Sequence, residues 1–255
     1  MTSSLDATGA DRVGCAPVHM NPILAELLGT MLLVLFGDGV VANVVLSRSK
    51  GQNSGWIVIA AGWAAGVTIA VYAVNALSGA HLNPAVTIGL ASIGKFEWAR
   101  VPGYIAAQTA GAFLGGVLVW LTYLPHWPLT EDKGAKLAVF STGPAVRNPA
   151  ANLISEVIGT FLLILIIASI VKASPAPGLV PFLVGATVWG IGSGLGGTTG
   201  FAINPARDLG PRIAHAILPI PGKGGSDFSY GLVVPVIGGL IGGALAGLFI
   251  RLAHL

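Results

Sequence analysis

Charge is what this sequence has least of. Only 9% of its 255 residues are Asp, Glu, Lys or Arg, whereas 54% are hydrophobic. A soluble domain carries roughly a quarter charged residues, so a water-facing surface cannot be covered and lipid must face most of the outside. Cysteine is nearly absent. Cys15 stands alone, which excludes an intrachain disulfide framework or a thiolate metal site. The net charge of +3 is small and gives no reason to expect nucleic acid as a partner. No nucleophile–base pair and no cluster of metal ligands stands in the apolar stretches, so neither an enzyme, a metal nor a cofactor is expected. Residues 1–19 are polar and lack the basic-then-apolar order of a cleaved signal peptide. They read as a flexible N-terminal tail.

Six long apolar stretches are present, near 23–47, 56–76, 101–124, 153–173, 179–199 and 231–252. A bilayer core of ~30 Å takes about 20 helical residues. None of the stretches alternates in polarity as a membrane β-strand does. Lipid offers no partner for open backbone groups, so the expected fold class is an all-α membrane protein with six transmembrane helices.

The chain also repeats itself. Ala25-Glu26-Leu27-Leu28-Gly29-Thr30 opens the first stretch and Ser155-Glu156-Val157-Ile158-Gly159-Thr160 the fourth, 130 residues on. Asn83-Pro84-Ala85 follows the second stretch and Asn204-Pro205-Ala206 the fifth. Gly111, Gly115 and Gly116 in the third are echoed by Gly238, Gly242 and Gly243 in the sixth. Three spans per half is odd, so the halves are expected to be inverted repeats with a solute path at their interface. The rows of glycine suit close helix packing.

Each paired Asn-Pro reads as the start of a short helix. Asparagine caps free N–H groups, and proline fits the first helical position. From Asn83 to about residue 93 is roughly 16 Å of helix, half a bilayer. Two re-entrant half-helices are therefore expected, entering from opposite faces and meeting at their N-termini. Each start carries about half a positive charge, and two of them oppose cations, including a migrating proton. The loops before them should present a ladder of carbonyls, from Ala80, His81 and Leu82 and from Gly200, Phe201 and Ala202. A third Asn-Pro-Ala, Asn148-Pro149-Ala150, lacks a symmetric mate and reads as coincidence or a simple helix start. Glu26 and Glu156 are intramembrane carboxylates at matched positions. They read as struts that accept N–H bonds from the two loops, or alternatively as proton carriers.

These motifs together resemble the aquaporin and glycerol-facilitator superfamily, over about residues 22–252. The resemblance implies a fold of six spans and two half-helices, cytoplasmic termini in the cell membrane, and a homotetramer with one pore per subunit. Its two repeats are about 20–124 and 150–253 within a channel domain of 20–255. Within the superfamily the residues are similar to the glycerol branch. Trp63 stands twenty residues before the first box, Gly192 where water-selective members carry histidine, Phe201 three residues before the second box, and Arg207 just after it. The resemblance makes these four the selectivity filter. Tyr123, Asp208, Arg212, Pro235 and Val236 also suit that branch, the last more loosely because leucine is the usual partner of that proline.

The implied function is passive passage of glycerol and other small neutral solutes, with some water and without ions or protons. Trp63 and Phe201 offer an apolar corner to a carbon chain, and Arg207 offers fixed donors to hydroxyl oxygens and a charge against cations. Taken singly, Trp63 or Phe201 reads as packing, Arg207 as snorkelling, Asp208 as a first-turn acid, and His81 as either pore liner or packed residue. The joint spacing favours the filter. A water-selective channel is the alternative, but calls for a histidine-like constriction. A proton-coupled transporter is a further one, motivated by Glu26, Glu156 and Asp38. Asp38, between Gly37 and Gly39 in the first stretch, answers to no position of the family pattern. The loop charges give no clear orientation. Arg48, Lys50, Lys133, Lys136, Arg147 and Lys223 on one side slightly outnumber Arg12, Lys95, Arg100, Lys172 and Arg251 on the other.

Overall fold

A computed structural model describes residues 20–255 apart from residue 177. The expected tail at 1–19, with Cys15 and Arg12, lies outside the described residues. Helices α1 (Pro22–Val45), α2 (Trp56–Ser78), α3 (Pro84–Ser92), α4 (Val101–Thr122) and α5 (Lys133–Phe140) are followed by α6 (Pro149–Lys172), α7 (Leu179–Gly194) and α8 (Pro205–Ile217). The chain closes with α9 (Phe228–Gly231), a π-helical segment Leu232–Gly238, and α10 (Gly239–Leu252). Among the described residues there is no sheet. Five helical stretches are long and apolar enough to cross a bilayer: Pro22–Val45, Trp56–Ser78, Trp98–Thr122, Pro149–Lys172 and Phe228–Leu252.

Four helix starts, those of α1, α3, α6 and α8, fall at Asn-Pro pairs. Asn21 Oδ1 accepts from the Ile23 N–H at 2.9 Å at the head of α1. At the head of α6, Asn148 Oδ1 accepts from Ala151 at 3.2 Å. The unmatched Asn148-Pro149-Ala150 is thus an ordinary N-cap. The fifth apolar stretch differs from its expected length. α7 has 16 residues and stops at Gly194, because Gly194, Gly196 and Gly197 break the pattern. The stretch that follows turns back towards α8. Helix α5, capped by Asp132 through Gly134 N and Ala135 N, is short and amphipathic and lies outside every expected element.

Packing is inside-out relative to a soluble protein. Ile57, Tyr72, Ile154, Phe182 and Leu248 are each more than half exposed, while Glu26, Asp38, Gln108, Glu156, Asp208 and Arg212 are buried, each exposed by 1% or less. Lipid is the better solvent for the first group, and the polar residues take the interior. Glycine sets how closely the helices approach. A Cβ on Gly111 would strike the Leu27 carbonyl of α1, and one on Gly242 would lie 2.6 Å from the Val157 carbonyl of α6. Gly116 faces Pro211 of α8, and Gly243 faces the Ala85 carbonyl of α3. The last long helix of each half therefore packs on the first helix of its own half and on the short helix of the other.

Candidate functional site

The short helices α3 and α8 meet start to start. Asn83 Oδ1 accepts from Ala85 N at 2.9 Å, and Asn204 Oδ1 accepts from Ala206 N at 3.1 Å and Arg207 N at 3.2 Å. Each cap side chain then crosses to the other half. Asn83 Nδ2 donates to the Ile203 carbonyl at 2.8 Å, and Asn204 Nδ2 donates to the Leu82 carbonyl at 2.7 Å. The exchange is reciprocal, and it ties the two boxes into one unit.

The loops leading into the boxes are strained in the same way. Gly79, Ala80 and Leu82 have φ of 83°, 48° and 52°, and Gly200, Phe201 and Ile203 have φ of 88°, 41° and 43°. Non-glycine residues rarely adopt positive φ, and for β-branched Ile203 it is a genuine outlier. Such strain persists only when neighbours impose it. Here two buried carboxylates do so. Glu26 accepts from His81 N at 2.9 Å, Leu82 N at 2.7 Å, Ser78 Oγ at 2.6 Å and Gln108 Nε2 at 2.8 Å. Glu156 accepts from Ala202 N at 3.0 Å, Ile203 N at 2.9 Å and Thr199 Oγ1 at 2.6 Å. With N–H groups turned to the carboxylates, the carbonyls are free to face the other way. Gln108 also donates to Thr87 Oγ1 at 3.0 Å, bracing α3.

Both loops border one cavity, of which about 190 Å³ is open to a water-sized occupant; one water needs roughly 10–15 Å³ on that measure. Its wall takes Ala80, His81, Leu82 and Asn83 from one half and Phe201, Ala202, Ile203 and Asn204 from the other. Trp63, Phe201 and Arg207 line it together, and Val67, Val71, Leu163, Val184 and Val188 give it an apolar side. The Arg207 guanidinium lies 3.9 Å from the centre of the Trp63 ring. That is cation–π distance, so the indole face orients the guanidinium. His81 is both liner and packed residue, since its ring also lies 4.7 Å from Phe96 and 5.0 Å from Tyr104.

The remaining expected residues stand behind the wall. Gly192 and Gly200 do not line the cavity. A Cβ on Gly192 would come within 2.9 Å of the Phe201 ring, so this glycine makes room for Phe201 to lie back against α7. Trp56 completes that support. Its Nε1 donates to the Gly192 carbonyl at 2.8 Å, and its ring meets Phe201 edge-on at 5.6 Å. Pro84, Pro205, Ala85 and Ala206 form the helix starts themselves.

Asp208 does more than favour a first turn. It accepts from Thr142 N and Oγ1 at 2.8 and 2.7 Å and pairs with Arg212 Nε at 2.8 Å, all buried. Arg212 further donates to the carbonyls of Thr142 at 2.7 Å and Ser226 at 2.8 Å, so the pair pins two loops to α8. Tyr123 closes α4 and reaches the Gly39 carbonyl at 3.3 Å. Pro235 and Val236 lie in the π-helical segment, whose wider turn accommodates the missing proline N–H. Ser78, Thr87, Gln108, Thr142, Thr199 and Trp56 escaped the sequence reading. Each is an ordinary polar or aromatic residue whose partner lies 21 to 136 positions away.

This fold is found in known proteins. The chain matches the Major intrinsic protein family over residues 16–250 and belongs to that family. It is 63% identical over 226 residues to a probable glycerol uptake facilitator of Thermotoga maritima, covering 89% of this chain and 96% of that one. It is 56% identical to the glycerol uptake facilitator of Bacillus subtilis, covering 92% and 85%. The crystal structure of the aquaglyceroporin from Plasmodium falciparum superposes with a TM-score of 0.81 at 31% identity, covering 90% of this chain and 94% of that one.

Proposed function

We propose that this chain is a passive facilitator, not an enzyme, that carries glycerol and other small neutral solutes across the membrane. Residues 20–255 form one channel domain of two inverted halves, about 20–124 and 150–253. Each contributes three spans and one re-entrant half-helix, with α7 as the short fifth span. Trp63, Phe201 and Arg207, with Gly192 behind them, form the selectivity filter. The carbonyls of the two strained loops accept hydrogen bonds from solute hydroxyls along the path past Asn83 and Asn204. The observation that carries this reading is the reciprocal pair of asparagine amides at the joined helix starts, on the wall of a cavity that also holds Trp63, Phe201 and Arg207.

The other readings have less support. Glu26 and Glu156 are engaged with the loops through all four of their oxygens, which suits struts rather than proton carriers. A water-selective filter lacks its histidine at 192. The family's homotetramer and cytoplasmic termini are part of the proposal. Three cations behind the opposing charge count are held by protein groups rather than free to read the membrane. Lys223 Nζ donates to the carbonyls of His215, Ala216 and Leu218, Lys136 to that of Pro221, and Arg147 pairs with Asp227.

Stopped-flow swelling of reconstituted proteoliposomes in a glycerol gradient tests the function. Glycerol entry well above that of empty vesicles, unaffected by a protonophore, is expected. Entry at the empty-vesicle rate removes the proposal.

A further inference from the structure

The face of α2 that meets the cavity runs from the filter to the helix end. Trp63, Val67, Val71 and Asn75 all line the cavity. They are four residues apart, so they form one stripe on the helix. Three such steps carry the wall about 18 Å from Trp63. The stripes from α6 (Leu163, Ile167, Val171) and α7 (Val180, Val184, Val188) line the same cavity and stay apolar throughout. Only α2 ends its stripe on a side-chain amide.

Asn75 stands in a polar corner. Its carbonyl accepts from Gly79 N at 3.0 Å, which closes α2, while its exposed side-chain amide has no partner among the described residues. Gly79 carries no side chain, and the Cδ2–Nε2 edge of His81 lies 3.8 Å from where its Cβ would be. Asn75, Gly79 and His81 all line the cavity. The hydrogen bonds around Thr87 assign the His81 ring proton. Thr87 Oγ1 donates to the Asn83 carbonyl at 3.1 Å, accepts from Gln108 Nε2 at 3.0 Å, and lies 3.1 Å from His81 Nδ1. With its own proton spent on Asn83, the hydroxyl accepts from Nδ1–H, so Nε2 of the neutral ring is left as an acceptor. Nε2 has no partner among the described residues.

We propose that Asn75, with the Nε2 edge of His81, forms a second solute station at the end of the cavity away from the filter. It takes a small neutral solute with hydroxyls on neighbouring carbons. One hydroxyl donates to His81 Nε2, the other accepts from Asn75 Nδ2, and the apolar stripes of α6 and α7 face the carbon edge. A hydroxyl stripped of water without a partner is costly, and this corner supplies partners after Asn83 and Asn204 are passed. Those two amides each already spend one N–H on a carbonyl of the other half, whereas Asn75 keeps its whole amide for the solute. The station presupposes that the cavity is the solute path proposed above.

The test is equilibrium exchange of labelled glycerol through the full chain in proteoliposomes. Glycerol is held equal on both sides, so the direction of insertion does not matter. Wild type is compared with Asn75→Val and Asn75→Thr, which share one shape and differ by a hydroxyl. Asn75→Val should raise the half-saturating glycerol concentration about two- to tenfold, the range that one hydrogen bond spans, and Asn75→Thr should recover part of that loss. A value unchanged in Asn75→Val overturns the station, and so does an equal rise in both variants, which would report shape alone. A wild type that conducts glycerol without saturating up to molar concentration also overturns it, while leaving the function above intact. A wild type that does not conduct glycerol removes both readings. If Asn75→Val does not fold, Asn75→Ala and Asn75→Ser give the same comparison at smaller size. Failure of all four to fold would show that Asn75 serves the fold and not the solute.

Discussion

Gly192 shapes the cavity wall from behind. Its missing Cβ lets the Phe201 ring lie against α7, and any side chain there would approach within 2.9 Å of that ring. Gly192→Ala should push Phe201 into the cavity, as overpacking typically costs about 1–3 kcal/mol when neighbours cannot yield. Glycerol permeability is then expected to fall by about fivefold or more, with water flux reduced much less, on the scale of tenfold per ~1.4 kcal/mol. Swelling assays with both solutes check this, and equal losses would show that Gly192 does not control width. The position itself was legible in the sequence. Its mode of action was not, because only the folded contact reveals that the glycine faces an aromatic ring and not the solute.

The two loop–helix elements are held by their carboxylates. Glu156 receives two backbone N–H groups and one hydroxyl from a loop containing Ile203 at φ 43°. Glu156→Gln replaces one accepting oxygen by a donor that faces another donor. Leaving a buried group unsatisfied costs about 1–3 kcal/mol, so this loop should relax its strained backbone. The expected outcome is a lower thermal unfolding midpoint in detergent together with reduced glycerol flux. Full flux at an unchanged midpoint would show that the strut is dispensable. A sequence reader sees both acids, because they recur at one offset and have no business in lipid. Ser78, Thr199 and Gln108, which complete the same networks, carry no such mark. They are common polar residues whose partners are fixed by how the helices dock.

At the scale of the whole molecule, the halves are locked by exchange. α10 lies against α3 of the opposite half through Gly243, whose added Cβ would meet the Ala85 carbonyl at 2.6 Å, and α4 lies against α8 through Gly116. Gly243→Val should force α10 from α3 and displace the Asn83 start. Backbone cannot yield as a flexible side chain does, so a poorly folded protein is expected, with broad elution in size-exclusion chromatography and lost flux. A monodisperse, active variant would contradict this packing. The apolar stretches and the Asn-Pro helix starts were fixed by local pattern: composition, and cap chemistry that acts within a few residues; the choice of Trp63, Gly192, Phe201 and Arg207 came from the family resemblance. The amide exchange between Asn83 and Asn204 and the meeting of Gly243 with Ala85 were decided only by the fold. These depend on which surfaces meet across more than a hundred positions of chain, and a residue cannot state its distant partner in its own neighbourhood.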